Sequence, residues 1–118
     1  YLLRKMVGMH KRLDRVSVEH LSWERCLALY DCPVALHFCD PPYTEGEVRA
    51  YSAWGAEDVA RLRDALARLK GRWIVTLNDC DANRAVFKGC RIKAVTTAAA
   101  MSNKGQESRR FGEIIITA

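Results

Sequence analysis

Val34-Ala35-Leu36-His37-Phe38-Cys39 runs directly into Asp40-Pro41-Pro42-Tyr43, and this stretch decides how the chain is read. The first six residues are nearly continuous in apolar character, which predicts a β-strand buried on both faces. The strand ends abruptly, because a proline has no N–H and forces its predecessor out of helical geometry. Asp40 and Pro41 are therefore both held extended. The product is a rigid ledge bearing one carboxylate, outward carbonyls and an aromatic ring. Such a ledge can accept hydrogen bonds from a neutral amino group while Tyr43 stacks on the heteroaromatic ring that carries it. The same four residues also read as a strand-terminating turn in which Asp40 caps something local.

Upstream, Arg15-Val16-Ser17-Val18 alternates and is β-branched, which predicts a short strand. Ser22 then caps a helix through about Tyr30, with Trp23, Leu27 and Tyr30 at helical spacing and Pro33 beyond its end. Downstream, Val59, Leu62, Leu66 and Leu69 form one stripe of a helix over about Ala56 to Lys70. Glu57 and Asp58 favour its amino end and Gly71 stops it. Trp73-Ile74-Val75-Thr76-Leu77 is a second core-type strand, followed by Asn78-Asp79 and a short helix capped by Asp81. Arg91 to Thr97 and Phe111 to Ala118 are strand-like, separated by a polar loop that includes Ser102-Asn103-Lys104-Gly105-Gln106. This order predicts an α/β sheet, mostly parallel, with an antiparallel strand pair at the end forming an edge. Ligands of such sheets bind at the carboxyl ends of the parallel strands, where Asp40 stands.

With 118 residues, 49% of them apolar and 28% charged, the chain has room for one domain and one modest core. No apolar run approaches the roughly 20 residues that span a bilayer, and Tyr1-Leu2-Leu3-Arg4-Lys5 lacks the order of a signal peptide. A cytoplasmic protein is expected, with no membrane among its partners. A first residue of Tyr rather than Met suggests a piece of something longer. Cys26, Cys32, Cys39, Cys80 and Cys90 are odd in number and contain no Cys-x-x-Cys pair, so reduced thiols are expected. His10, His20 and His37 show no ligand spacing, and no metal is assigned.

The net charge of +5 is concentrated at two places. Residues 1–12 carry Arg4, Lys5, Lys11 and Arg12 with no acid. Residues 84–110 carry Arg84, Lys88, Arg91, Lys93, Lys104, Arg109 and Arg110 against Glu107 alone. The two blocks could form one polyanion-facing surface, or each could be a solvated face.

From Arg12 onward the chain resembles the Dam-like class of DNA adenine methyltransferases, including phage and restriction-modification relatives. The resemblance covers Arg12-Leu13-Asp14-Arg15-Val16-Ser17-Val18-Glu19-His20-Leu21-Ser22-Trp23 and the strand ending in Asp40-Pro41-Pro42-Tyr43. It continues through Tyr51, the leucine-striped helix, Leu77-Asn78-Asp79, and Val86-Phe87. It ends with Ser102-Asn103-Lys104, Arg109-Arg110 and Gly112-Glu113-Ile114-Ile115-Ile116-Thr117.

The resemblance implies a Rossmann-like methyltransferase sheet and transfer of a methyl group from S-adenosylmethionine to the exocyclic amino nitrogen of adenine in DNA. Asp40, Pro41, Pro42 and Tyr43 would be the catalytic ledge. The Asp40 side chain and the Pro41 carbonyl would take the two amino protons, and Tyr43 would stack on a base flipped out of the duplex. No cysteine nucleophile is needed for attack by an amino nitrogen, so Cys39 reads as strand core. His20, Leu21 and Ser22, with Asp40, would lie along the cofactor, although Ser22 stands where relatives often have an acid. Lys104, Arg109 and Arg110, with Arg4, Lys5, Lys11 and Arg12, become phosphate-contact candidates.

The family's Phe-x-Gly-x-Gly cofactor turn is not found, and no Gly-x-Gly occurs in the chain. Residues 1–12 would then be the tail of a target-recognition segment, and residues 13–118 the carboxyl-terminal half of a catalytic domain, weak or inactive in isolation. The missing amino-terminal half or a second copy is an expected partner, because the strand ending in Cys39 would have an open edge. Two further readings remain beside this one: methylation of the cytosine exocyclic amine, and a non-catalytic nucleic-acid-binding module.

Overall fold

The apolar stripes and caps fold as mixed α/β in a computed structural model that describes residues 2–43, 54–98 and 110–118. In chain order the elements are α1 (Leu2–Leu13), α2 (Trp23–Tyr30), β1 (Leu36–Cys39), α3 (Ala56–Leu66), β2 (Arg72–Asn78), α4 (Asp81–Val86), β3 (Arg91–Ala98) and β4 (Arg110–Thr117). Ser22 caps α2 as the sequence predicts, its hydroxyl accepting from the Arg25 N–H at 3.4 Å. At the start of α3 the Asp58 carboxylate reaches back to accept the Gly55 N–H at 2.9 Å, which satisfies one otherwise orphaned amide.

The four strands form one sheet in the order β1-β2-β4-β3. β1 and β2 are parallel, and β4 runs antiparallel to both of its neighbours, β2 and β3. Three strands therefore point one way and the last is inserted, reversed, between the second and third. The expected antiparallel pair is therefore present at one end of the sheet, as β4 and β3, with the reversed strand β4 inside and β3 at the rim. Ile114 and Ile116 are completely buried, and a strand this apolar gains more inside a sheet, with a neighbour on each side, than at its rim.

One face of the sheet carries the core. Trp73, Val75 and Leu77 of β2 and Ile114 and Ile116 of β4 pack with Val59, Leu62 and Leu66 of α3 and with Phe87 after α4. Trp73 and Phe87 meet with ring centroids 6.4 Å apart. Trp23 and Leu27 of α2 lie against the margin of this cluster. The register places Leu36 and Phe38, Ile74 and Thr76, and Ile115 and Thr117 on the opposite face.

Four other expectations change, the smallest being that Cys80 takes the cap position of α4 and Asp81 is its first residue. β1 is not buried on both faces: His37 is 8% exposed, but Leu36 is 56% and Phe38 65% exposed, since no helix among the described residues covers that side. Arg15-Val16-Ser17-Val18 forms no strand, and Val16 and Val18 lie exposed without a strand partner among the described residues. The α3 helix ends at Leu66 rather than near Lys70. Asp31, at the end of α2, holds the turn that follows by accepting the backbone N–H groups of Lys70 and Gly71 at 2.9–3.0 Å. Those amides, with the nearby His37, hold the Asp31 carboxyl below its ordinary value.

Candidate functional site

The ledge begins where β1 stops pairing. Cys39 is the last residue in register with β2, opposite Val75, so Asp40 emerges beside Thr76. The Thr76 hydroxyl donates to one Asp40 carboxylate oxygen at 2.6 Å and lies 3.5 Å from the Cys39 carbonyl. This fixes the carboxylate while leaving Asp40 exposed, with its second oxygen free of any hydrogen bond from the described residues. Thr76 cannot be found from the sequence, because its nearness to Asp40 exists only once the β1–β2 register is set.

Beside the ledge is a cavity of about 360 Å³, within the roughly 300–1,000 Å³ usual for small-molecule pockets. Phe38 through Pro42 form one wall, Trp23 and Leu27 of α2 another, and Trp54 and Leu62 a third. Trp23 and Trp54 meet edge to face, with centroids 6.0 Å apart at 68°. Arg61 of α3 steadies this corner. It pairs with Asp58 at 2.9 Å and with Glu24 of α2, and its guanidinium lies 5.7 Å from the centre of the Trp23 ring. The Trp54 indole nitrogen is buried without an acceptor among the described residues.

Tyr43 goes elsewhere. It is half-buried, does not line the cavity, and donates its hydroxyl to Glu113 of β4, which faces away from the core. Burial, and then the hydrogen bond to Glu113, push the Tyr43 hydroxyl up to about 12. The rings that meet at the cavity wall are thus Trp23, which the sequence pattern puts on a helix stripe, and Trp54. Cys39 also lines the cavity, and burial pushes its thiol up, which keeps it protonated and a poor nucleophile.

The other site residues are scattered. His20 is exposed, Leu21 is half-buried and Ser22 is committed to its helix cap; among these neighbours only the adjoining Trp23 reaches the cavity wall. Lys11 and Arg12 lie exposed in the last turn of α1. Arg110 is the first residue of β4, while Tyr51, Lys104 and Arg109 lie outside the described residues. Among the described residues no three His, Cys, Asp or Glu side chains are grouped to hold a metal ion, and no helix is long and apolar enough to cross a membrane.

No protein-family model matches the chain, and neither does any curated protein.

Proposed function

We propose that the chain transfers a methyl group from S-adenosylmethionine to the exocyclic amino nitrogen of adenine in DNA, on a Rossmann-like methyltransferase sheet in the cytoplasm. The observation that carries the reading is the Asp40-Pro41-Pro42 ledge. It follows directly from a parallel strand, its carboxylate is fixed by Thr76, and its wall bounds a cavity with two tryptophans.

An adenine amino nitrogen is a weak nucleophile because its lone pair is delocalised into the ring. The second Asp40 oxygen and the Pro41 carbonyl are acceptors for its two N–H groups. Accepting both localises the lone pair on nitrogen and orients it. Such catalysis rests on positioning and fixed dipoles rather than on a strong base. The residues fit the cofactor as a group with an aromatic ring and a positive charge: Trp23 and Trp54 offer ring faces, the Trp54 N–H, without an acceptor among the described residues, offers a donor, and Asp40 is the nearby anion. When bound, S-adenosylmethionine supplies an electrophilic methyl group on sulfonium sulfur. Lys11, Arg12, Lys104, Arg109 and Arg110 are the proposed phosphate contacts on duplex DNA, with the target base flipped out.

The test is transfer of labelled methyl from S-adenosylmethionine to duplex DNA by the intact protein. The expected product nucleoside is N6-methyladenine, and Asp40→Ala is expected to lower the rate by about 10²–10³-fold with an unchanged circular dichroism spectrum. Undiminished transfer in Asp40→Ala, or no labelled nucleoside at all, would overturn the reading. N4-methylcytosine as product would keep the ledge and change the base.

A further inference from the structure

The ledge is tied to two different strands. Its first residue, Asp40, accepts from the Thr76 hydroxyl of β2 at 2.6 Å, and its fourth, Tyr43, donates to Glu113 of β4. The register explains how one tetrapeptide reaches both. Thr76 pairs with Ile115 and Asn78 with Glu113, so Thr76 and Glu113 share a face of adjacent strands as diagonal neighbours, roughly 7–8 Å apart. From Asp40 to Tyr43 the extended chain spans at most about 10 Å, enough to bridge that gap. Between the two anchors stand Pro41 and Pro42, which have no N–H to give a neighbouring strand. These two residues cannot continue the β1–β2 ladder as donors, and the side chains on either side of them tie the segment down.

We propose that Thr76 and Glu113 are positioning residues, a two-point clamp that holds the Asp40 carboxylate and the Pro41 carbonyl in one fixed relation to the amino group they receive. The inference rests on the proposed methyl transfer, in which those two oxygens accept the two amino protons. Two acceptors serve one amino group only when each lies along its own N–H direction, so a ledge that swings loses both bonds at once. The prolines stiffen the ledge internally but leave it able to pivot where it departs from β1. Thr76 blocks that pivot at the near end and sets which carboxylate oxygen is left for the ligand. Glu113 blocks it at the far end, through a charge-assisted bond from the Tyr43 hydroxyl. Neither Thr76 nor Glu113 is part of the cavity wall, so each acts through its partner on the ledge.

Steady-state rates of labelled methyl transfer to duplex DNA by the intact protein test the clamp. Thr76→Val, Glu113→Ala and Tyr43→Phe should each lower kcat about 10–100-fold with KM for DNA and for S-adenosylmethionine nearly unchanged, because orientation is lost and binding is not. Tyr43→Phe keeps the ring and removes the donor alone, so its loss should equal that of Glu113→Ala, and it keeps the test open if Glu113→Ala unfolds in circular dichroism. Thr76→Ser and Glu113→Gln retain the donor and the acceptor and should keep most of the rate. In the double variant Thr76→Val/Tyr43→Phe the loss should fall well short of the product of the single losses, since releasing either end already frees the same ledge, whereas independent sites multiply. Full rates in the single variants, losses confined to KM, losses that multiply, or no rescue by Thr76→Ser and Glu113→Gln would overturn the clamp and leave the methyl transfer standing. No transfer by the wild-type protein removes both.

Discussion

Tyr43 shows how a single residue can stand out in the sequence while its contacts stay hidden there. Its place after two prolines marks it as part of the ledge, yet its hydroxyl is tied to Glu113, seventy positions away on β4. This contact makes it a titration probe. The folded hydroxyl is raised from its ordinary value of 10 to about 12, so the protonated form is favoured by folding. The associated stability is fully present below pH 10 and is lost as the pH rises from 10 through about 12. An ultraviolet phenolate titration should therefore show one of the four tyrosines ionising last. In Tyr43→Phe that step should vanish. In Glu113→Gln it should move down only part of the way, because burial is a larger cause than the carboxylate. An unshifted last step in Tyr43→Phe would show that another tyrosine is responsible.

At the scale of elements, the helices and strands with dense apolar periodicity were readable, and their neighbours were not. The leucine stripe of α3 and the Trp73–Leu77 run lie where the pattern puts them, because burial in one core enforces both. Residues 15–18 have the composition of a strand but no partner strand among the described residues, and alternation alone does not make a ladder. The position of β4 was hidden because strand order is a property of the whole sheet, even though its isoleucines marked it as core. Gly71 is a similar case. Its sequence position suggests a helix stop, but α3 has already ended five residues earlier, and the glycine is needed where β2 passes the turn before β1. A Cβ added there would lie 2.8 Å from the Cys32 carbonyl oxygen and 2.9 Å from that of Ala35. Both are backbone atoms and cannot swing aside. Gly71→Ala should cost about 1–3 kcal/mol in denaturant unfolding. Gly8→Ala, inside α1 with nothing within 4 Å of the new carbon, should be neutral or gain about 0.5–1 kcal/mol from helix propensity. Equal effects at the two glycines would refute the close-approach argument.

For the molecule as a whole, stability is concentrated on one side of one sheet. The fully buried side chains belong to α3, β2, β4 and the Phe87 turn, whereas Leu3, Met6, Val7, Met9 and Leu13 of α1 are all more than half exposed. The ledge is mounted at the margin of this core, where β1 pairs with β2 alone among the described residues, so Asp40 owes its position to β2 and Thr76 more than to packing of its own strand. A domain of this size has a net stability of roughly 5–15 kcal/mol. Phe87 fills the centre of the core against Trp73, and Phe87→Ala removes a completely buried ring, at a cost of about 3–5 kcal/mol. That is a large fraction of the total, and it should appear as an earlier cooperative transition reported equally by tryptophan fluorescence and circular dichroism. Leu3→Ala, on α1, should shift the same transition by no more than about 0.5 kcal/mol. If Leu3→Ala were as damaging as Phe87→Ala, α1 would have to be packed onto the core. The sheet would then have a covered face where Leu36 and Phe38 are open, and the single-sided architecture would be wrong.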